Sequence, residues 1–315
     1  MKSQIRLAEA IVLVAFLSCL SLSAVLDTTG AGQISWGDFV LHYLCALGLI
    51  GLGTAYRVAK RSERLAAVLI ITGLYIAFTN SGAKLNYFLY PSNTVTIDVL
   101  LMRVDAYIGF DWRSFVFRFE DREMLSAFLR MVYFSSLVQL FMVILFLGFT
   151  ERERKLHEFM LVGVVSSLLC ILIWSITPSF GPAYIVELPP SLIESLHLAV
   201  DAGYVMHLND VAGGKDSLIE PTSMRGLIAF PSMHTVMALM AVVFTFGTRA
   251  MPFFLAINIP MIPAILLHGG HHVSDVIAGM AVFFVVLWLV QNLMRLSRSP
   301  SASLETCPEL TRSKI

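Results

Sequence analysis

The chain has 315 residues, of which 57% are hydrophobic and 14% charged, with 22 basic and 22 acidic side chains. A soluble domain carries about a quarter charged residues, so this much apolar surface needs lipid as a second solvent. The zero net charge excludes the broad basic field that attracts nucleic acid, and Cys19, Cys45, Cys170 and Cys307 show no metal or disulfide spacing.

Apolar runs recur at about 8–26, 39–56, 65–79, 125–149, 157–176, 230–247, 251–268 and 275–294. Most approach the roughly 20 residues that cross a bilayer, and the third is short unless it extends or tilts. They predict an all-α polytopic membrane protein with about eight transmembrane helices. The first run has basic residues before it and Ser21 and Ser23 near its end, the features of a signal peptide. We read it as an uncleaved helix.

Charge between the runs gives orientation. Lys2 and Arg6 precede the first, Arg57, Lys60, Arg61 and Arg64 lie between the second and third, and Arg152, Arg154 and Lys155 lie between the fourth and fifth. Arg249 separates the sixth and seventh, and Arg295 and Arg298 follow the eighth. If the helices alternate, all of these fall on one side, which the positive-inside rule makes cytoplasmic. Segments 80–124 and 177–229 then face outward. In the first, Leu100, Leu101, Val104, Tyr107 and Ile108 share a helical face; in the second, Leu192, Ile193, Leu196, Ala199, Val200 and Gly203 do so. Such stripes suit helices lying in the membrane interface or helices packed against the bundle. The polar tail 297–315 is expected to be disordered and cytoplasmic.

Two outer segments carry chemistry. AFPSMHT at 229–235 opens the sixth run, where Pro231 is acceptable in a first helical turn. Unused amides at that helix end can bind phosphate, Ser232 adds a hydroxyl donor, and His234 stands beside the anion. HGGHHVSDVIAG at 268–279 precedes the eighth run. His271 and Asp275 are one helical turn apart, so the carboxylate can fix the imidazole tautomer and leave the other ring nitrogen to attack. Asp275 at a membrane boundary needs such a partner, and Gly269 and Gly270 permit a tight turn close to a ligand. The alternative reading of either segment alone, a minor one, is a helix cap with an incidental histidine. Both fall on one face by a charge rule that made no use of them.

Pro231-Ser232-Met233-His234 and His271-His272-Val273-Ser274-Asp275 resemble the second and third signatures of the type-2 phosphatidic-acid phosphatase superfamily. The resemblance implies a six-helix core with two additional N-terminal spans, hence N-terminal spans in 1–64, a lipid phosphatase/phosphotransferase-like domain in 65–296 and the tail 297–315. It implies that His271 attacks phosphorus, Asp275 orients it, His234 protonates the leaving oxygen, and a phosphohistidine passes to water or an alcohol. His272 falls on a variable position of the signature, so it is expected to matter much less than His271.

The match departs from the phosphatase pattern in two places. The first signature, Lys and then Arg-Pro, is absent, and 177–184 (TPSFGPAY) stands in its place; Ile265 replaces an Arg six residues before His271. These losses, and Gly109-Phe-Asp-Trp112, resemble the inositol phosphorylceramide synthase-like (inositolphosphotransferase) branch. A phosphate site still needs cations. Arg225 is the nearest outer candidate, with Lys215, Arg103 and Arg113 weaker, and Ser232 and Gly270 complete the expected phosphate contacts. No cofactor or metal is expected, because histidine is the nucleophile and no acidic cluster suggests a divalent ion. The expected substrate is a phosphorylated lipid at the outer face of a bacterial plasma membrane.

Two other readings were weighed. His268-Gly-Gly-His271-His272 has the form of a box used by membrane di-iron desaturases and hydroxylases, but those enzymes need about eight histidines in three boxes, and His42, His157, His197 and His207 are scattered singly. A transporter or scaffold would show intramembrane charges or broken helices in repeated halves, which the sequence does not display clearly.

Overall fold

The computed structural model describes residues 2–29, 33–90, 95–212 and 218–296. The tail 297–315, with Cys307, and Lys215 lie outside the described residues. The chain begins with α1 (Lys2–Thr28), β1 (Gln33–Ile34), α2 (Trp36–Val58) and α3 (Glu63–Phe88). Ser62 caps α3 by accepting the Leu65 amide at 3.3 Å, a contact that stabilises a helix start by about 1 kcal/mol.

α3 runs nine residues past the end expected at 79 because its polar final turns find partners on α2. Tyr43 bonds Ser81 at 2.8 Å, and Lys84 donates to the Tyr43 hydroxyl at 2.7 Å. Glycines let α2 and α3 approach closely. A Cβ on Gly73 would stand 2.6 Å from the Ala46 carbonyl oxygen, and one on Gly53 2.9 Å from that of Ala66.

The chain continues with α4 (Asp98–Tyr107), α5 (Trp112–Phe117), α6 (Glu123–Phe134), α7 (Ser136–Phe149) and α8 (Glu153–Ile176). α6 and α7 form one expected span bent by 48°. At the bend the Ser135 hydroxyl donates back to the Val132 carbonyl at 2.6 Å, a competing bond of the kind that bends helices. A 3-10 turn (Pro182–Tyr184), α9 (Pro190–Ser195), α10 (Ala202–Ala212) and β2 (Leu218–Ile219) lead to α11 (Met233–Thr245), α12 (Met251–Asn258), α13 (Met261–His268) and α14 (Val273–Leu296). Pro260 stands at the break between α12 and α13, which together make one apolar span of 18 residues.

Among the described residues six spans are long and apolar enough to cross a membrane, and the bent α6–α7 pair makes a seventh. The remaining expected span, the sixth run, is the shorter apolar helix α11, which begins at Met233, later than the sequence suggested. The protein is therefore an all-α polytopic membrane protein. α3, α7, α8, α11 and α14 pack around Ile71, Leu147, Phe159, Val236, Met240 and Phe283, all buried. α1 leans on α3 and α8, and α2 on α3.

β1 and β2 pair in parallel, Gln33 with Leu218 and Ile34 with Ile219. This joins the α1–α2 connection to the segment before α11, as expected if both lie at the same membrane face. The two apolar stripes part company. On α4, Leu101 is buried while Leu100, Val104, Tyr107 and Ile108 are exposed, so this helix keeps an apolar face outside the bundle. The other stripe is broken at His197, whose φ is +48°, and its Leu192, Leu196 and Val200 pack into the protein.

Candidate active site

Ser232 is the N-cap of α11, and its hydroxyl oxygen accepts the Thr235 amide at 3.4 Å, which leaves its proton to donate. Helix starts leave their first amides without intrahelical partners. Pro231 precedes this start instead of occupying the first turn, and its peptide bond with Phe230 is cis. The Ser232 amide donates to the Asp275 carbonyl at 3.0 Å, which joins the starts of α11 and α14. Gly279 permits the approach, since a Cβ there would meet the Ser232 carbonyl oxygen at 2.5 Å.

His271 Nδ1 donates to Asp275 Oδ2 at 3.0 Å, and the pair is almost wholly buried. The carboxylate therefore favours the tautomer with the hydrogen on Nδ1, in which Nε2 carries the free lone pair. The His272 amide donates to the same oxygen at 2.9 Å. The His234 ring lies 6.4 Å from the His271 ring, centre to centre, and stacks on Tyr133 at 4.2 Å with 21° between planes. Space decides the glycines. A Cβ on Gly269 would stand 2.5 Å from His271 Cδ2 and 3.1 Å from Tyr133 Cε2. Gly270 has φ +56°, and its carbonyl oxygen packs where a side chain on Gly181 would stand.

Ser232, His234, Gly270, His271 and Asp275 thus meet in one region. Arg225 does not join them through any contact among the described residues. Its guanidinium faces Asp201 at 3.8 Å, its side chain is 46% exposed, and its amide bonds the Tyr87 hydroxyl. Arg103 and Arg113 are exposed, and Ile265 lies in an apolar cluster with Trp112 and Leu267. Trp112 donates its indole N–H to the Leu266 carbonyl at 2.8 Å, which gives the Gly109–Trp112 segment a role in fastening α5 to α13.

The three histidines of the H-x-x-H-H stretch turn to different partners. His268 Nε2 bonds the Ser126 carbonyl at 2.9 Å, His271 faces Asp275, and His272 lies between Asp98 and Asp105, 3.5 Å from each. Among the described residues no three His, Cys, Asp or Glu side chains converge as a metal site.

Sequence reasoning missed Tyr133, Asp98 and Asp105. Tyr133 is one aromatic in an apolar run and carries no signal. The aspartates had one: two acids two helical turns apart on the same side of a short, mostly apolar helix imply buried partners.

The helical bundle carries a buried histidine–carboxylate pair, His271 and Asp275, at one of its ends. A family model described as the PAP2 superfamily matches residues 99–289, well over half of the chain. The chain belongs to that superfamily, whose members are phosphatases or phosphotransferases. No curated protein and no solved structure matches the chain.

Proposed function

We propose that the protein transfers a phosphoryl group from a phosphorylated lipid, through a phosphohistidine on His271, to water or to an alcohol such as inositol. The observation that carries this reading is the 3.0 Å contact of His271 Nδ1 with the buried Asp275. It leaves Nε2 as the attacking atom and stabilises the imidazolium as the N–P bond forms. In the first step Nε2 attacks phosphorus, the lipid oxygen leaves, and His234 supplies its proton. In the second, the acceptor's oxygen attacks, His234 takes the proton, and the N–P bond breaks.

Phosphate needs donors. Asp105 already accepts the Val273 and Ser274 amides at the start of α14, at 2.7 and 3.0 Å. That leaves the first turn of α11, with the Ser232 hydroxyl, as the better anion site. An apolar groove of about 220 Å³ reaches from Thr235 and Val276, beside the site, to Leu239, Ile262, Ile265 and Met280, and suits a lipid tail.

The test is incubation of purified protein with a labelled panel of lipid phosphates and phosphodiesters, with and without inositol or other alcohols. Release of phosphate supports hydrolysis and a new phosphodiester supports transfer; no acid-labile phosphoenzyme with any substrate would reject the mechanism. We place the site on the outer face of a bacterial plasma membrane, from the Lys/Arg asymmetry. In a background without native cysteines, Glu187→Cys should react with an impermeant maleimide in intact cells and Arg61→Cys only after lysis. The opposite pattern would turn the protein over.

A further inference from the structure

α4 brings two carboxylates into the protein, Asp98 at its first residue and Asp105 two turns later, and both are buried. Asp98 accepts the Ser179 hydroxyl at 2.6 Å and the Phe180 and Gly181 amides at 3.1 and 2.9 Å. It thereby holds the loop that stands where the first phosphatase signature is missing. Asp105 accepts the Val273 amide at 2.7 Å, the Ser274 amide at 3.0 Å and the Ser274 hydroxyl at 2.6 Å. It thereby holds the start of α14.

His272 lies between them, with Nε2 3.5 Å from Asp98 and Nδ1 3.5 Å from Asp105. At that separation the contact is chiefly ionic. His272 is 1% exposed, and its neighbour in sequence is the candidate nucleophile.

We propose that Asp98, His272 and Asp105 form a buried ionic bridge that sets the position of His271, so that all three are positioning residues for phosphoryl transfer. This rests on the functional reading above. An uncharged or missing His272 would leave two buried carboxylates facing each other without a counter-charge, which burial does not tolerate. α4 would shift away from the turn that carries His271 and Asp275. A misplacement of about 1 Å can cost a reacting group ~10²-fold in rate.

The charge state agrees with the geometry. Burial alone would push His272 down, but the Asp105 and Asp98 carboxylates on either side of it and the charge of Asp275 overcome this and hold the imidazole up at about 9. Both aspartates lie below the ordinary carboxylate range. Burial acts to raise them, and His272, together with Ser179 and the Phe180 amide at Asp98 and with Ser274 and the Val273 amide at Asp105, outweighs it. The other titratable groups beside the bridge are Asp275, whose charge reaches His272, His271 bonded to Asp275, and Tyr204, whose hydroxyl feels the charge of Asp98.

The experiment compares full-length wild type, His272→Ala, His272→Gln, the shape-preserving Asp105→Asn, and the double variant His272→Ala/Asp105→Asn, each checked for folding by size exclusion and thermal melting. Single-turnover formation of the phosphoenzyme should slow about 30- to 100-fold in each single variant, with KM changed less than about 3-fold. The double variant should be no slower than its slower parent, because both members belong to one bridge. The wild-type rate should fall above about pH 9 through a limb that His272→Gln lacks. Folded single variants within about 3-fold of wild type, or losses that multiply in the double variant, would overturn the proposal. NMR of nitrogen-labelled histidine reads the bridge without turnover: His272 should be cationic at about pH 8. A neutral ring there would sink the bridge, whereas a cationic ring in a protein that forms no phosphoenzyme would sink the functional reading alone.

Discussion

Charge is withdrawn from water in part at one end of this protein and almost wholly at the other, and it is arranged differently at each. At the end opposite the candidate site, Glu9 of α1 accepts two bonds from Arg57 of α2, at 2.8 and 2.9 Å, and lies 3.1 Å from His157 Nε2 of α8. Arg57 also meets Glu63 of α3 at 2.7 Å. Opposite charges meet there: the fork of Arg57 ties α2 to α1 and α3, and Glu9 carries the network on to α8. At the other end, three carboxylates, Asp98, Asp105 and Asp275, surround His271 and His272. No arginine or lysine balances them among the described residues. Matched charge serves as a fastening. An excess of carboxylate serves to orient the imidazoles, which is what the proposed nucleophile His271 requires.

The comparison can be broken by substitution. The largest effect is expected from His271→Ala, which should remove phosphoenzyme formation with every substrate and leave the melting temperature within a few degrees of wild type. Retained turnover in phosphate-release assays would remove His271 from the chemistry.

His234→Ala comes next. A lipid alkoxide leaves poorly without a proton, while a nitrophenolate needs none. Turnover of a lipid phosphate should fall about 10²–10⁴-fold, and phosphoenzyme formation from a nitrophenyl substrate should be spared. Matched losses in single-turnover measurements would make His234 a phosphate ligand and not the acid.

A smaller effect should appear as pH dependence of stability. His272 is held up at about 9 against an ordinary 6.5. Its contribution is therefore complete below about pH 6.5 and is lost as pH rises through about 9. By linkage this amounts to about 3 kcal/mol. Thermal melting of wild type should drop over that window, and His272→Gln should flatten the curve; an unchanged profile would contradict the assigned charge.

Glu9→Gln sharpens the contrast from the other end. Breaking a buried pair costs about 3–5 kcal/mol, and about 2–3 is expected here because the Arg57 side chain is 21% exposed. Melting should show this loss while kcat at lower temperature stays within about 3-fold. A fall in kcat as large as that of an Asp105→Asn variant would erase the distinction between the two ends.

Much of the architecture was legible because lipid imposes a crude rule on sequence: long apolar runs become helices, and their positions matched the observed spans closely. Helix ends were less legible. α3 ran on because Ser81 and Lys84 found Tyr43 on α2, and α11 started late because Ser232 became its cap. Of the candidate site, the meeting of Ser232, His234, His271 and Asp275 was readable because their spacing within short segments placed them at or just before helix starts. Arg225 was chosen by proximity in sequence, and its observed partner is Asp201.

By itself, the sequence determined the solvent, the helical class and the short-range pair His271–Asp275, since each depends on composition or on a separation of four residues. Only the tertiary structure decided what lies beside them. Tyr133 reaches His234 from a helix about a hundred residues earlier, and Asp98 and Asp105 reach His272 from about 170 residues away. No periodicity links such distant positions. Burial brings them together, because a charge removed from water must find its opposite wherever the fold places it.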